Sequence, residues 1–169
     1  KKTGAILINF EDLGEGTRFA DLVINAMYPE KEKTSNNHYG EKYFCLKDEF
    51  LLTQKRQIKE KVKKVLLTFG GVDPNNFTKK VLSSIYKYCK ENKIQIDVVA
   101  GLGYKNYATL EKFTSVKIHK DITAISEFMA SADIVFTSAG RTTFEIASLG
   151  VPGIVLAQNE RELTHFFCT

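Results

Sequence analysis

The sequence predicts an α/β protein whose main body is a doubly wound parallel sheet, preceded by the tail of an earlier α/β domain. Three observations predict it. Short apolar, β-rich runs alternate with amphipathic helical runs from about residue 62 onward. Few residues separate one run from the next, which argues for parallel strands covered by helices on both faces. Turns bearing glycine close several of the strands, at Gly70-Gly71, at Gly101-Leu102-Gly103 and at Ser138-Ala139-Gly140.

Each element follows from its residues. Val65-Leu66-Leu67-Thr68-Phe69 reads as a buried strand. Asp73 and Pro74 then read as N-cap and first helical residue, because proline tolerates the first turn and Asp accepts its free N–H groups. Phe77, Val81, Leu82, Ile85 and Tyr88 recur at helical spacing and give that helix an apolar stripe. Ile94 to Val99 is the second strand, residues 107–113 a short helix, and Val116-Lys117-Ile118 the third strand. Ile122, Ile125, Phe128, Met129 and Ala132 mark the next helix, and Ile134-Val135-Phe136-Thr137 the fourth strand. A helix over 142–149 stops at Gly150, and Pro152 restarts the chain into the fifth strand, Ile154-Val155-Leu156. Residues 161–167 open a further helix. Right-handed crossovers make this a Rossmann-like sheet with its first strand beside its fourth. A crevice then lies at the carboxyl ends of those two strands.

The first 60 residues have few helices between their apolar runs. Residues 5–10 and Leu22-Val23-Ile24-Asn25 read as strands, and Tyr43-Phe44-Cys45-Leu46 as a third. A polar loop separates Pro29 from Gly40. The expected division is a remnant of a first domain over 1–47, a linker over 48–61 and the Rossmann-like domain over 62–169, incomplete at its carboxyl end. A start without Met fits a piece of a longer protein.

Composition bounds the function. With 43% hydrophobic and 26% charged residues in 169, the chain can bury a core and is not disordered. No apolar run is long enough to cross a bilayer, and the opening residues are too short and strand-like for a signal peptide. A net charge of +4 suits an anionic ligand without requiring nucleic acid. The basic stretch over 55–64 reads as a solvated helix face. Cys45, Cys89 and Cys168 form no pair or metal-ligand spacing and fit reduced thiols in a cytoplasmic protein. His38, His119 and His165 are scattered, so neither a metal nor another cofactor is expected.

The chemistry concentrates in two turns. Gly70-Gly71 and Ser138-Ala139-Gly140 face one crevice in the proposed order, and glycine lets backbone approach a ligand closely. The helix starting near Thr142 offers free N–H groups to a diphosphate, with the Thr142 and Thr143 hydroxyls as further donors. Neither turn is a Walker motif or a GxGxxG fingerprint, which disfavours a P-loop NTPase and a standard NAD domain. Glu145 has two readings. Thr142-x-x-Glu145 fits a capping box, and the same carboxylate could accept hydrogen bonds from two ribose hydroxyls.

Phe69-Gly70-Gly71-Val72-Asp73-Pro74 resembles the FGGxDP turn of PseG-type UDP-sugar hydrolases and of SpsG-type spore coat polysaccharide proteins. Met129-Ala130-Ser131-Ala132-Asp133, then Ser138-Ala139-Gly140-Arg141-Thr142-Thr143-Phe144-Glu145 and Leu149-Gly150-Val151-Pro152, resemble that family's second signature. They are similar too to the carboxyl-terminal domain of the MurG glycosyltransferase, which has the two-domain GT-B fold. Residues 8–14 and 20–25 resemble the end of the amino-terminal domain in SpsG-like proteins.

The resemblance implies the carboxyl-terminal half of a GT-B enzyme that binds a nucleotide-sugar, with UDP expected. It assigns Glu145 to the ribose, residues 138–143 (Ser138, Ala139, Gly140, Thr142 and Thr143 among them) to the diphosphate, and the backbone around Ile118, His119 and Ile122 to the base. Gly70 and Gly71 would line the opposite wall, and Gln158 and Asn159 would meet the sugar. Catalytic residues would belong to the missing amino-terminal domain, so hydrolase and transferase stay open. A lipid-linked acceptor and a peripheral membrane site would follow only for a MurG-like transferase. The alternative is a non-catalytic subunit, like the free-standing chains that resemble an isolated MurG carboxyl-terminal half and act only with a partner chain. A Rossmann-like domain whose crevice binds nothing is a third reading.

Overall fold

A computed structural model of the chain describes residues 4–30, 35–165 and 167. It holds two sheets, both parallel. The larger contains β4 (Lys64–Thr68), β5 (Gln95–Ala100), β6 (Val116–Lys120), β7 (Ile134–Ser138) and β8 (Gly153–Leu156) in the order β6-β5-β4-β7-β8. This is the doubly wound Rossmann-like arrangement that the sequence predicts, with the first strand of the unit hydrogen-bonded to the fourth. Leu66 pairs with Asp97 on one side and Val135 on the other.

Side-chain alternation divides the core into two layers. Val65, Leu67, Ile96 and Val98 point to one face and meet Leu82 and Cys89 of α2 (Phe77–Glu91), with Leu110 and Phe113. Leu66, Val99 and Val135 point to the other. There they meet Met129 of α3 (Ile125–Ser131), Ile146 of α4 (Thr142–Ser148) and Phe50 of α1 (Asp48–Leu52). Leu66, Leu67 and Leu82 are wholly buried, and each such side chain contributes about 1.5–3 kcal/mol.

The smaller sheet is β1 (Ile8–Phe10), β2 (Leu22–Asn25) and β3 (Asn37–Tyr39), in that order. Its third strand lies in the stretch expected to be a polar loop, of which residues 31–34 fall outside the described residues. Residues 43–46 are not a strand, and a 3-10 turn covers Glu41–Tyr43. The cause is tertiary. Phe44 leaves the sheet to stack on Phe144 with ring centroids 4.1 Å apart, while Asn37 and His38 find backbone partners on β2.

Other boundaries move for similar reasons. The helix after β4 begins at Phe77, and Pro74 sits in the turn before it. Asn76 rather than Asp73 holds the N-cap position, but the Asp73 carboxylate reaches the first turn and accepts the Phe77 and Thr78 N–H groups, each at 2.8 Å. Phe77, Val81, Leu82 and Ile85 pack on the core as the spacing predicts, whereas Tyr88 is exposed and Cys89 is buried in its place. Ile122 precedes α3 rather than joining it. The expected helix over 107–113 is a 3-10 turn at Tyr107–Leu110. Residues 161–167 hold a 3-10 turn at Glu162–Thr164, and Phe166 lies outside the described residues, as does Cys168.

The basic stretch is irregular rather than helical, with bends at Glu60 and Lys61. Asp133 explains why. Its buried carboxylate accepts the Lys63 and Lys64 N–H groups at 2.7 and 2.8 Å and pairs with Arg56, which pins the chain before β4. Burial alone would raise the Asp133 carboxyl, but those amides and the Arg56 and Lys59 cations hold it below its ordinary range. The segment expected as a linker opens with α1, and Phe50 anchors it in the core. Among the described residues, no helix is long and apolar enough to cross a membrane.

Candidate functional site

Parallel strands bring their carboxyl ends to one edge, so the turns after β4, β5, β6 and β7 share a rim. A cavity of about 290 Å³ opens there. Gly70 and Gly71 form one wall, Gly101 and Leu102 the next, and Asp121, Ile122 and Thr123 the base; Thr142 closes it from α4. Gly70 has φ +77°, a left-handed conformation that glycine adopts without strain. A Cβ on Gly71 would meet nothing within 4 Å, so that residue presents bare backbone to the cavity.

The turn after β4 approaches the hydroxyl of Ser138 at the end of β7. A Cβ built on Gly70 and one built on Gly140 would each stand 4.0 Å from Ser138 Oγ. Ser138 ends β7 and pairs with Leu156, whereas Thr137 below it pairs with Thr68 of β4. Ala139 is buried, its N–H donating to Glu162 and its carbonyl meeting His165 Nδ1. Thr143 is also buried, and its hydroxyl donates to the Gly140 carbonyl at 2.8 Å. Thr142 is the one residue of α4 among the cavity walls.

The capping box does not form. Arg141 occupies the N-cap in helical conformation with no side-chain cap, and Thr142 is already the first helical residue. Glu145 is half-buried. Burial raises its carboxyl above the ordinary range, and Lys47, the Thr142 hydroxyl and Arg141 pull the other way.

Ile118 and His119 lie within β6. Ile118 packs against the α2 layer, and His119 turns to the opposite face, where Nε2 is 3.2 Å from Asp97 and the ring stands edge-on to Phe128. Asp97 also holds Lys64 at 2.9 Å. Burial would raise the Asp97 carboxyl, but Lys64, His119 and Gln95 keep it low. His119 is thus a satisfied polar group, and His38 likewise meets the Tyr43 hydroxyl at 3.2 Å.

Gln158 and Asn159 follow β8. Gln158 Nε2 donates to Asp73 at 3.0 Å, so its side chain spans to the turn before α2. Asn159 Oδ1 accepts the Glu162 N–H at 3.0 Å.

Sequence reasoning missed Lys47 and Glu49, which line the cavity from the segment before the large sheet. Glu49 accepts the Ser126 N–H at 3.0 Å and so ties this segment to α3. No local motif marks either residue; the burial of Phe50 next to them puts them there. A larger groove of about 530 Å³ lies at the amino ends of the strands, lined by Val65, Ile85, Tyr88, Ile134 and Phe136. It is mostly apolar, with Lys61 and Asn92 at its margin, and it lacks the glycine turns and convergent donors of the crevice. Among the described residues, no group of three His, Cys, Asp or Glu side chains could hold a metal ion.

No family model matches the chain. It is similar to an uncharacterized protein of Methanocaldococcus jannaschii, 34% identical over 166 residues, which cover 85% of this chain and 33% of that protein. It is also similar to the spore coat polysaccharide biosynthesis protein SpsG of Bacillus subtilis, 24% identical over 173 residues, covering 95% of this chain and 51% of SpsG. The chain therefore spans between a third and about half the length of these curated relatives.

Proposed function

We propose that the crevice binds the nucleoside diphosphate of a nucleotide-linked sugar, with UDP the expected nucleotide. The chain then serves as the nucleotide-binding part of an enzyme of polysaccharide biosynthesis. The observation that carries this reading is the cavity at the carboxyl ends of adjacent parallel strands, lined by the bare backbone of Gly70 and Gly71 and by Thr142. In open α/β sheets, that is where ligands bind. The similarity to SpsG, named for spore coat polysaccharide biosynthesis, supports the same chemistry.

In this reading the bare backbone at Gly70 and Gly71 approaches the diphosphate, and the Ser138 and Thr142 hydroxyls donate to it. Lys47, its side chain 72% exposed and 3.9 Å from Glu49, supplies a cation from the facing wall. The Glu145 carboxylate accepts from the ribose hydroxyls. Asp121 and Ile122 border the base. Holding the leaving nucleotide in one orientation lowers the entropic part of the barrier for hydrolysis or transfer. The group that attacks the sugar belongs to the remainder of a longer protein.

Thermal unfolding of the chain with UDP, CMP, GDP and their sugar conjugates tests the proposal. A ligand at 100 times its dissociation constant stabilises by about 2.7 kcal/mol, a rise of several degrees. The rise is expected with UDP and is lost in Glu145→Ala. A folded chain whose melting temperature responds to none of these nucleotides sinks the proposal.

A further inference from the structure

The segment that follows β4 holds two non-glycine residues in left-handed backbone. Asp73 has φ +49° and Asn76 φ +52°, both left-handed, in addition to Gly70. Such backbone persists only where its surroundings over-determine it, and it clusters at functional sites. Here the surroundings can be named. Gly103 N–H donates to the Gly71 carbonyl at 2.9 Å. A Cβ on Gly101 would come within 2.5 Å of Gly71 Cα, so the turns after β4 and β5 touch backbone to backbone. Gln158 holds Asp73 at 3.0 Å. Tyr104 Oη donates to Asn76 Oδ1 at 2.7 Å.

Tyr104 is suited to hold a position. It is 3% exposed, and its ring stands edge-on to Tyr107 at 5.2 Å. Burial, with the nearby Asp73 charge, raises its phenol, so it remains a donor at neutral pH. The Gly70-Gly71 turn is thus braced from behind and bare in front, as a preorganised ligand wall must be.

We infer that Tyr104 is a positioning residue for the ligand-facing Gly70-Gly71 turn, acting through the left-handed Asn76. The inference rests on the crevice reading proposed above. Tyr104 touches no ligand; it fixes the conformation at the far end of the turn, and the Gly103 amide fixes the near end.

Tyr104→Phe, Asn76→Gly and the double variant of the 169-residue chain test this, by UDP titration and by the backbone amide resonances of Gly70 and Gly71. Tyr104→Phe is expected to weaken UDP binding about tenfold, the equivalent of one lost hydrogen bond, and to shift the Gly71 resonance without ligand. Glycine holds positive φ unaided, so the double variant is expected to bind UDP within about twofold of Asn76→Gly alone. A merely structural Tyr104 would instead lower stability and affinity equally in both backgrounds, and that result overturns the inference. So does a Tyr104→Phe chain with unchanged affinity and an unmoved Gly71 resonance. An unaltered chain that binds no UDP brings down the crevice reading and this role together, whereas normal binding with an indifferent Tyr104→Phe brings down the role alone.

Discussion

On the proposed reading, the Glu145 carboxyl would serve the ligand at the expense of the fold. Burial raises it, and the Lys47 and Arg141 cations only partly compensate. A carboxyl raised in the folded state binds its proton more tightly there than in the unfolded chain. Its contribution to stability is full below the unfolded pKa of about 4.3 and is lost as pH rises through the folded value. Ribose hydroxyls, however, donate to the ionised form, so nucleotide affinity should climb over the same window. The two slopes have opposite sign. Glu145→Gln removes the buried charge, so its melting temperature at pH 7 is expected to equal or exceed that of the unaltered chain while UDP affinity falls. Melting curves and titrations across about pH 4 to 7 check both slopes. A variant that loses stability on rising pH as the unaltered chain does would show that another group titrates.

At the scale of elements, the turns after β4 and β5 give a paired test. Gly101 faces backbone: a Cβ there would lie 2.5 Å from Gly71 Cα and 2.8 Å from the Gly70 carbonyl. Gly101→Ala must push the two turns apart, at about 1–3 kcal/mol by analogy with overpacked cores. Gly71 faces the cavity, where a Cβ meets nothing within 4 Å. Gly71→Ala is expected to leave stability within about 0.5 kcal/mol and to weaken nucleotide binding. Thermal unfolding and titration of both variants separate the two roles, and an unstable Gly71→Ala would contradict the geometry.

These elements also show what a sequence exposes. The five strands of the large sheet were legible because each is a short run rich in apolar residues that ends at a turn, and the three central ones, β4, β5 and β7, are mostly buried. The place of Gly70, Gly71 and Thr142 on the cavity at the strand ends was legible for the same reason, since they follow directly from where strands end. Helix starts were less so. Phe77 begins α2 because Tyr104 and Gln158, 28 and 85 residues from their partners Asn76 and Asp73, hold the turn before it. Only the last position of the α2 stripe differs, Cys89 in place of Tyr88, because a period of 3.6 admits either and packing against the core decides. Strand β3 and the cavity residues Lys47 and Glu49 had no local signal. Pairing with β2 fixes the first, and the burial of Phe50 fixes the others.

At the scale of the whole molecule, the two sheets are joined by side chains rather than by shared strands. Phe144 of α4 is buried between Phe44, 4.1 Å away and nearly parallel, and Phe167, 4.3 Å away. Arg141 lies over the outer face of Phe44 at 4.5 Å and donates to the Cys45 carbonyl at 2.8 Å. Arg161 meets the Tyr28 hydroxyl and donates to the Glu11 carbonyl at 2.7 Å. Large aromatic side chains dominate such contacts, and Phe→Ala at a buried position costs about 3–5 kcal/mol. Against a domain stability of about 5–15 kcal/mol, that is enough to uncouple one unit from the other. The small sheet has three short strands, and it and its flanking residues expose Ile6, Phe10 and Phe19, so it is expected to depend on its neighbour for stability. The unaltered chain is therefore expected to unfold in one cooperative transition. Phe144→Ala should split it into an early loss of the small sheet and a later transition of the Rossmann-like unit, read by calorimetry and by amide exchange on β2. Phe144 also lies between Thr143 and Glu145 on the helix that borders the crevice. Loss of UDP affinity in Phe144→Ala while the large sheet stays folded would show that docking of the small sheet helps to set the site. Unchanged affinity would confine the crevice to the Rossmann-like unit.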